Sequence, residues 1–189
     1  MKEKKIKKET LQQIKESAMP TIENDENVKS SLKLPKLEIS NDDRDLYAEC
    51  IATGKVFSQK FENEKLKIKV EFKDKTKKET DIISRQVDKI YNDGLLYSVQ
   101  EYINLFNLGC LYYQLSHING VKQNHEYPAN VWDMKDFNLT SVIDASPIGS
   151  LPSSTLYILM GMMTQFNQKL YDLAKEAFNP NFLNPAKDS

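Results

Sequence analysis

The chain has 189 residues, with 26 basic against 27 acidic side chains and a formal net charge of −1. That length suits one domain of about 100 to 150 residues plus additional segments, and the near-neutral balance excludes a whole-molecule field that would draw in nucleic acid, leaving only a local patch for such a role. The two cysteines, Cys50 and Cys110, sit in apolar helical patterns and offer neither a disulfide framework nor a metal spacing, so both read as buried free thiols.

Residues 1–40 begin with a charged run, Met1-Lys2-Glu3-Lys4-Lys5, that has no apolar stretch behind it, so no secretory signal is expected and the protein is placed in the cytoplasm of a cell. The segment carries few large apolar residues together with Pro20 and Pro35, too little burial to offset the entropy of ordering. It reads as a flexible N-terminal tail. Within it, Lys2 to Ser17 has a thin stripe of Ile6, Leu11 and Ile14 that would suit a helix ordering on a partner, although such a helix is marginal alone.

Residues 41–178 are expected to form a single helical domain carrying one small two-stranded β-hairpin at 55–73, an α+β fold that is mainly α. Asn41-Asp42-Asp43 is an acidic helix start, Leu46, Cys50 and Ile51 share a face, and Gly54 supplies a stop. Leu66, Ile68, Val70 and Phe72 then alternate with Lys65, Lys67, Lys69, Glu71 and Lys73, which predicts a strand with one buried and one wet face. Val56 to Phe61 forms its partner, joined through Glu62-Asn63-Glu64. Two strands alone are marginal in water, so the ribbon must lean on helices or pair with another subunit.

Thr76-Lys77-Lys78-Glu79 and Ser98-Val99-Gln100-Glu101 both fit the capping box, in which hydroxyl and carboxylate each satisfy a backbone donor of the first turn. They open helices expected to run to about Asn92 and to Asn119-Gly120. The second helix is apolar on two sides, with Tyr102, Ile103, Phe106, Cys110 and Tyr113 on one and Leu105, Leu108, Tyr112 and Leu115 on the other, which places it at the centre of the core. A short helix at Met134 to Ile143 follows, and Ser153 or Ser154 can cap a last helix from about Thr155 to Phe178. Residues 179–189 form a C-terminal extension whose prolines, Pro180 and Pro185, cannot continue it.

The chemistry-bearing residues give no catalytic, cofactor or metal site, and the chain is read as not an enzyme. The six glycines are dispersed, so no phosphate cradle forms. His117 and His125 have no further ligands at metal spacing and read as surface or capping histidines. Asp42-Asp43 and Asp133 with Asp136 are explained by helix-start electrostatics. Ser146, Ser150, Ser153 and Ser154 lie in no nucleophile elbow. Lys65, Lys67, Lys69 and Lys73 make a solvated strand face that could also meet an acidic protein; interleaved acids and the lack of aromatics on that face argue against nucleic acid.

Leu156-Tyr157-Ile158-Leu159-Met160-Gly161-Met162-Met163 is shorter than a membrane span, which needs roughly 20 residues. Polarizable methionines suit surfaces that accept irregular apolar partners, and they also fill ordinary cores. The continuation through Phe166, Leu170, Leu173, Ala174 and Phe178 offers more apolar surface than one small core requires. Met160, Met162, Met163, Phe166 and Leu170 are therefore the candidate partner-binding residues.

The order helix, Gly, hairpin, Thr-x-x-Glu helix, with the wording Ala52-Thr53-Gly54-Lys55-Val56-Phe57-Ser58 and Lys69-Val70-Glu71-Phe72-Lys73-Asp74-Lys75-Thr76-Lys77-Lys78-Glu79, resembles bacteriophage tail and baseplate assembly proteins, tail assembly chaperones in particular. Leu115-Ser116-His117-Ile118-Asn119-Gly120 closes the similar region, about residues 42 to 120. The resemblance implies a role without catalysis: transient binding of the helical tape-measure protein or of tube subunits in the host cytoplasm, with other phage proteins or further copies of the chain as partners. It brings no functional residues with it. Two alternatives stand beside it, a permanent structural component of the virion (tail, baseplate or neck) and a small nucleic-acid-binding protein.

Overall fold

Ser40 closes the first helix by accepting the Asp43 N–H, and the Asp43 carboxylate returns to the Ser40 N–H at 2.8 Å, so two orphan donors of the first turn satisfy each other's partners. In this computed structural model, which describes residues 38–64, 67–132 and 134–177, that helix is α1, Asn41–Thr53. Gly54, at φ 67°, ends it in the left-handed conformation that glycine adopts without strain. The tail up to residue 37, the extension from 178, Lys65, Leu66 and Asp133 lie outside the described residues.

Strands β1, Ser58–Asn63, and β2, Ile68–Lys73, form the expected antiparallel hairpin, with its turn at Glu64 to Lys67 rather than at Glu62 to Glu64. Helix α2, Lys77–Asn92, and helix α3, Val99–Gln114, each begin at the capping box read from the sequence. Helix α3 stops at Gln114, not at Asn119-Gly120. Leu115 turns extended, and Leu115–Ile118 becomes strand β3 on the other side of β2. Asn119 and Gly120, at φ 47° and 82°, make the two-residue left-handed turn that returns the chain as β4, Val121–Lys122. The sheet thus has four strands in the order β1-β2-β3-β4, where two were expected.

The inner face of this sheet explains why the ribbon is stable. Phe57 and Phe72 stack on Phe166 with ring centroids 6.1 and 6.0 Å away, and Phe61 meets Phe166 edge-on at 6.1 Å. Phe166 belongs to the last helix, α5, Ser153–Ala177, which begins two residues earlier than expected because the Pro152 carbonyl takes the Leu156 N–H; Ser153 and Ser154 lie inside the helix. Helix α1 is fastened to the far end of α5 by Asp43 to Lys169 at 2.7 Å and Arg44 to Glu176 at 2.8 Å.

Helix α3 does occupy the centre of the core, with Leu111, Tyr112 and Tyr113 buried there. A Cβ on Gly109 would stand 3.1 Å from both Ile83 and Leu139, so the missing side chain is what lets α3 approach α2 and the start of α4. The short helix α4, Leu139–Ala145, begins at its Asn138 cap rather than at Met134. Before it, residues 123–132 form a strap tied to α2: the Tyr127 hydroxyl donates to Glu79 at 2.7 Å and the Arg85 guanidinium lies 4.1 Å from the Trp132 ring centre, while at the start of α4 the Leu139 N–H donates to Gln86.

Candidate functional site

An apolar groove of about 660 Å³ opens where α3 and the first half of α5 separate. Leu105 and Leu108 of α3 and Leu156 and Met160 of α5 form its walls, and Leu95, Leu96 and Tyr97 of the α2–α3 connection close one end. Asn138 and Thr140, at the start of α4, contribute polar groups to its lining. A smaller hollow of about 420 Å³ adjoins it, sharing Leu96 and Tyr97.

Local sequence dictates this geometry. Gly94, at φ 75°, ends α2, and its N–H donates to the Tyr91 carbonyl, while the Leu95 N–H reaches back to Ile90. At the other end the Glu101 carboxylate takes the Tyr97 N–H at 2.6 Å and the Ser98 N–H at 3.1 Å. Pinned at both ends, the connection presents its side chains outward: Leu95 is 64% and Tyr97 88% exposed, and Tyr157 across the groove is 77% exposed. Large apolar groups grouped around one concavity mark a surface for binding rather than scattered exposure.

The expectation of a partner-binding run along α5 needs correction. Met162, Met163, Phe166 and Leu170 are buried in the core, on the same side of α5 at helical spacing, and Phe166 at the centre of that side meets the Phe57–Phe61–Phe72 cluster. Of the five candidates only Met160 lines the groove. Sequence reasoning missed Leu95, Leu96, Tyr97, Leu105 and Leu108. The signal available was Leu95-Leu96-Tyr97 itself, three apolar residues between a helix-ending glycine and a helix-starting capping box, where no helix stripe requires them.

The polar groups elsewhere are largely occupied by structural bonds. Glu79 is 2% exposed and accepts from Lys73 Nζ at 2.6 Å, from the Tyr127 hydroxyl and from the Thr76 N–H. Burial pushes its carboxyl upward, but Lys73, the Thr76 amide and Tyr127 together outweigh burial and hold it below the usual carboxylate range. His125 packs edge-on against Tyr112 and sits 3.1 Å from the Leu115 carbonyl. Burial, then the Lys73 charge, push its pKa down.

His117 Nδ1 lies 3.1 Å from the Ser116 hydroxyl and 3.4 Å from Glu71. A nucleophilic relay needs serine and acid on opposite ring nitrogens, and here both approach the same one. Asp43 serves the Ser40 cap and Lys169, in keeping with a helix-start role. Of the strand lysines, Lys69 pairs with Glu62, Lys73 with Glu79, and Lys67 sits in the hairpin turn. Among the described residues no three His, Cys, Asp or Glu side chains gather as a metal site, and no helix is long and apolar enough to cross a membrane.

Compared with protein-family models, curated proteins and solved structures, the chain matches none.

Proposed function

We propose that this chain is a non-catalytic assembly factor of a bacteriophage tail, a chaperone that holds an apolar helical segment of a tail protein in the groove between α3 and α5. The observation that carries the reading is the groove lined by Leu95, Leu96, Leu105, Leu108, Leu156 and Met160 with Tyr97 and Tyr157 standing on its rim. An amphipathic helix laid into such a groove buries its apolar side chains at i, i+3, i+4 and i+7, and the tyrosines supply rigid contact area at little entropic cost. Long tape-measure helices are segments of that kind, and the sequence likeness over residues 42 to 120 points to the same setting. The groove lining includes one carboxylate, Glu101, already bonded to two backbone N–H groups, so its polar rim suits orientation better than proton transfer.

The test is co-expression with the phage's tape-measure and tube proteins, followed by pull-down, and mass spectrometry of purified virions. The chaperone reading expects capture of a tail protein, loss of capture when Leu96 or Leu156 is replaced by Glu in a folded variant, and absence from finished particles. Stoichiometric recovery in virions would replace it with a permanent structural role.

A further inference from the structure

Strand β1 is an edge of the sheet, and its hydrogen-bonding polarity follows from one contact. The Asp74 N–H donates to the Phe57 carbonyl at 2.8 Å, so Phe57 and Asp74 form a hydrogen-bonded pair. Antiparallel pairs alternate, which turns the backbone groups of Gln59 and Phe61 toward β2 and those of Ser58, Lys60 and Glu62 away from it. Among the described residues no backbone partner meets these outward groups. Lys60 and Glu62 also have exposed side chains, on the sheet face opposite Phe57, Phe61 and Phe72.

The sequence of this edge selects its own copy. Two antiparallel strands related by a twofold axis can pair only with like-facing residues opposite, so the axis must pass through a residue. An axis at Lys60 sets Lys60 against Lys60 of the other copy, and an axis at Glu62 sets two Glu62 residues together. An axis at Phe61 sets Lys60 opposite the second copy's Glu62 and the reverse, with both pairs at hydrogen-bonded positions and the two Phe61 residues adjacent at the axis. Within each chain Lys60 already stands opposite Glu71, and Glu62 opposite Lys69 at 2.7 Å. The row across both copies would then read Glu71, Lys60, Glu62, Lys69, alternating in sign throughout. Opposite charges at facing sheet positions are favourable and like charges unfavourable.

We infer that β1 is a dimerisation edge: two copies of this chain join antiparallel through Ser58–Asn63, centred on Phe61, into one continuous eight-stranded sheet. The twofold arrangement makes the contact isologous, and lysine at the edge, which alone would repel strand addition, favours the register centred on Phe61 because only there does it face Glu62. The groove between α3 and α5 is built from other elements and remains available.

Light scattering on the full chain after size exclusion reads the mass. The wild type is expected as a dimer, and Lys60→Glu and Glu62→Lys should each weaken it by about tenfold or more, since each sets like charges face to face. Mixing these two variants should restore a dimer, because every facing pair then joins a carboxylate of one variant to an ammonium of the other. Lys60→Pro removes an outward N–H without touching the β1–β2 ladder and should leave a folded monomer, with circular dichroism as the check on folding. A monomeric wild type at all soluble concentrations, or a dimer indifferent to Lys60→Pro and to both reversals, would overturn the inference.

Discussion

The sheet side of the molecule and its groove side use the same helix in opposite ways. Toward the sheet, α5 buries Met162, Met163, Phe166 and Leu170, with Phe166 against three phenylalanines, and its buried cation, Lys169, is met by Asp43. Toward α3, the first turns of α5 present Leu156, Tyr157 and Met160 to an opening that nothing among the described residues fills. The composition of the two stretches is alike. What differs is whether a second layer stands opposite, so apolar content alone does not distinguish a core from a docking surface; the partner element does.

The largest effect is expected where that difference is greatest. Phe166 is fully buried against three rings, and Phe166→Ala should cost about 3 to 5 kcal/mol through lost transfer energy and an unfilled cavity. Urea titration should show the midpoint fall with an unchanged slope. Loss of less than about 1 kcal/mol would mean that the sheet does not rest on α5 in solution. The comparison between the two sides would then fail at its root.

Much of the fold was legible because its signals are local. The Thr76 and Ser98 capping boxes and the Gly54 stop each depend on two or three neighbouring residues, and each sits where the chain predicted it. The alternation Ile68, Val70, Phe72 likewise marked one strand face. Strand β3 was hidden because the stripe of α3 runs apolar through Leu111 to Leu115, and the helical period masks a four-residue strand. The Asn119-Gly120 turn was the visible warning, being the strongest short hairpin signal available. The groove was illegible for a different reason. Its walls come from residues 90–108, 138–140 and 153–160, and no property of any one segment states which of the others it faces.

An intermediate effect is expected from acid, and it acts on the strap of the closed side. His125 has a folded pKa below its ordinary 6.5, so the unfolded chain binds its proton first. Its contribution to stability is complete above pH 6.5 and is lost as pH falls toward the folded value. Glu79, held below its ordinary 4.5, contributes stability that is present above that pH and lost as pH falls through its folded pKa. Asp74, raised by burial, opposes the second fall. Thermal melts from pH 8 to 3 should therefore show two declines in Tm, and His125→Gln should flatten only the first. A first decline of unchanged size in that variant would remove His125 from the account.

The smallest effect on stability, and the sharpest on binding, is expected at the groove. Met163 is buried and Met160 lines the opening, three residues along one helix, so the two differ in surroundings far more than in chemistry. Met163→Ala should cost about 2 to 5 kcal/mol, the range for emptying a packed methionine site. Met160→Ala and Tyr157→Ala remove side chains that meet less of the protein and should stay within about 1 kcal/mol of wild type. Binding should rank in the reverse order. If the groove holds the proposed helical partner, Tyr157→Ala and Met160→Ala should weaken its capture by about tenfold or more, as a rim tyrosine and an anchoring wall residue do in helix-in-groove contacts. Met163→Ala should lose binding only as far as it loses folding. Melts and pull-downs on these three variants give two rankings, and the docking surface requires them to be opposed. If stability and binding fall together in all three, the groove is a gap in the packing, and the partner must be sought on another face.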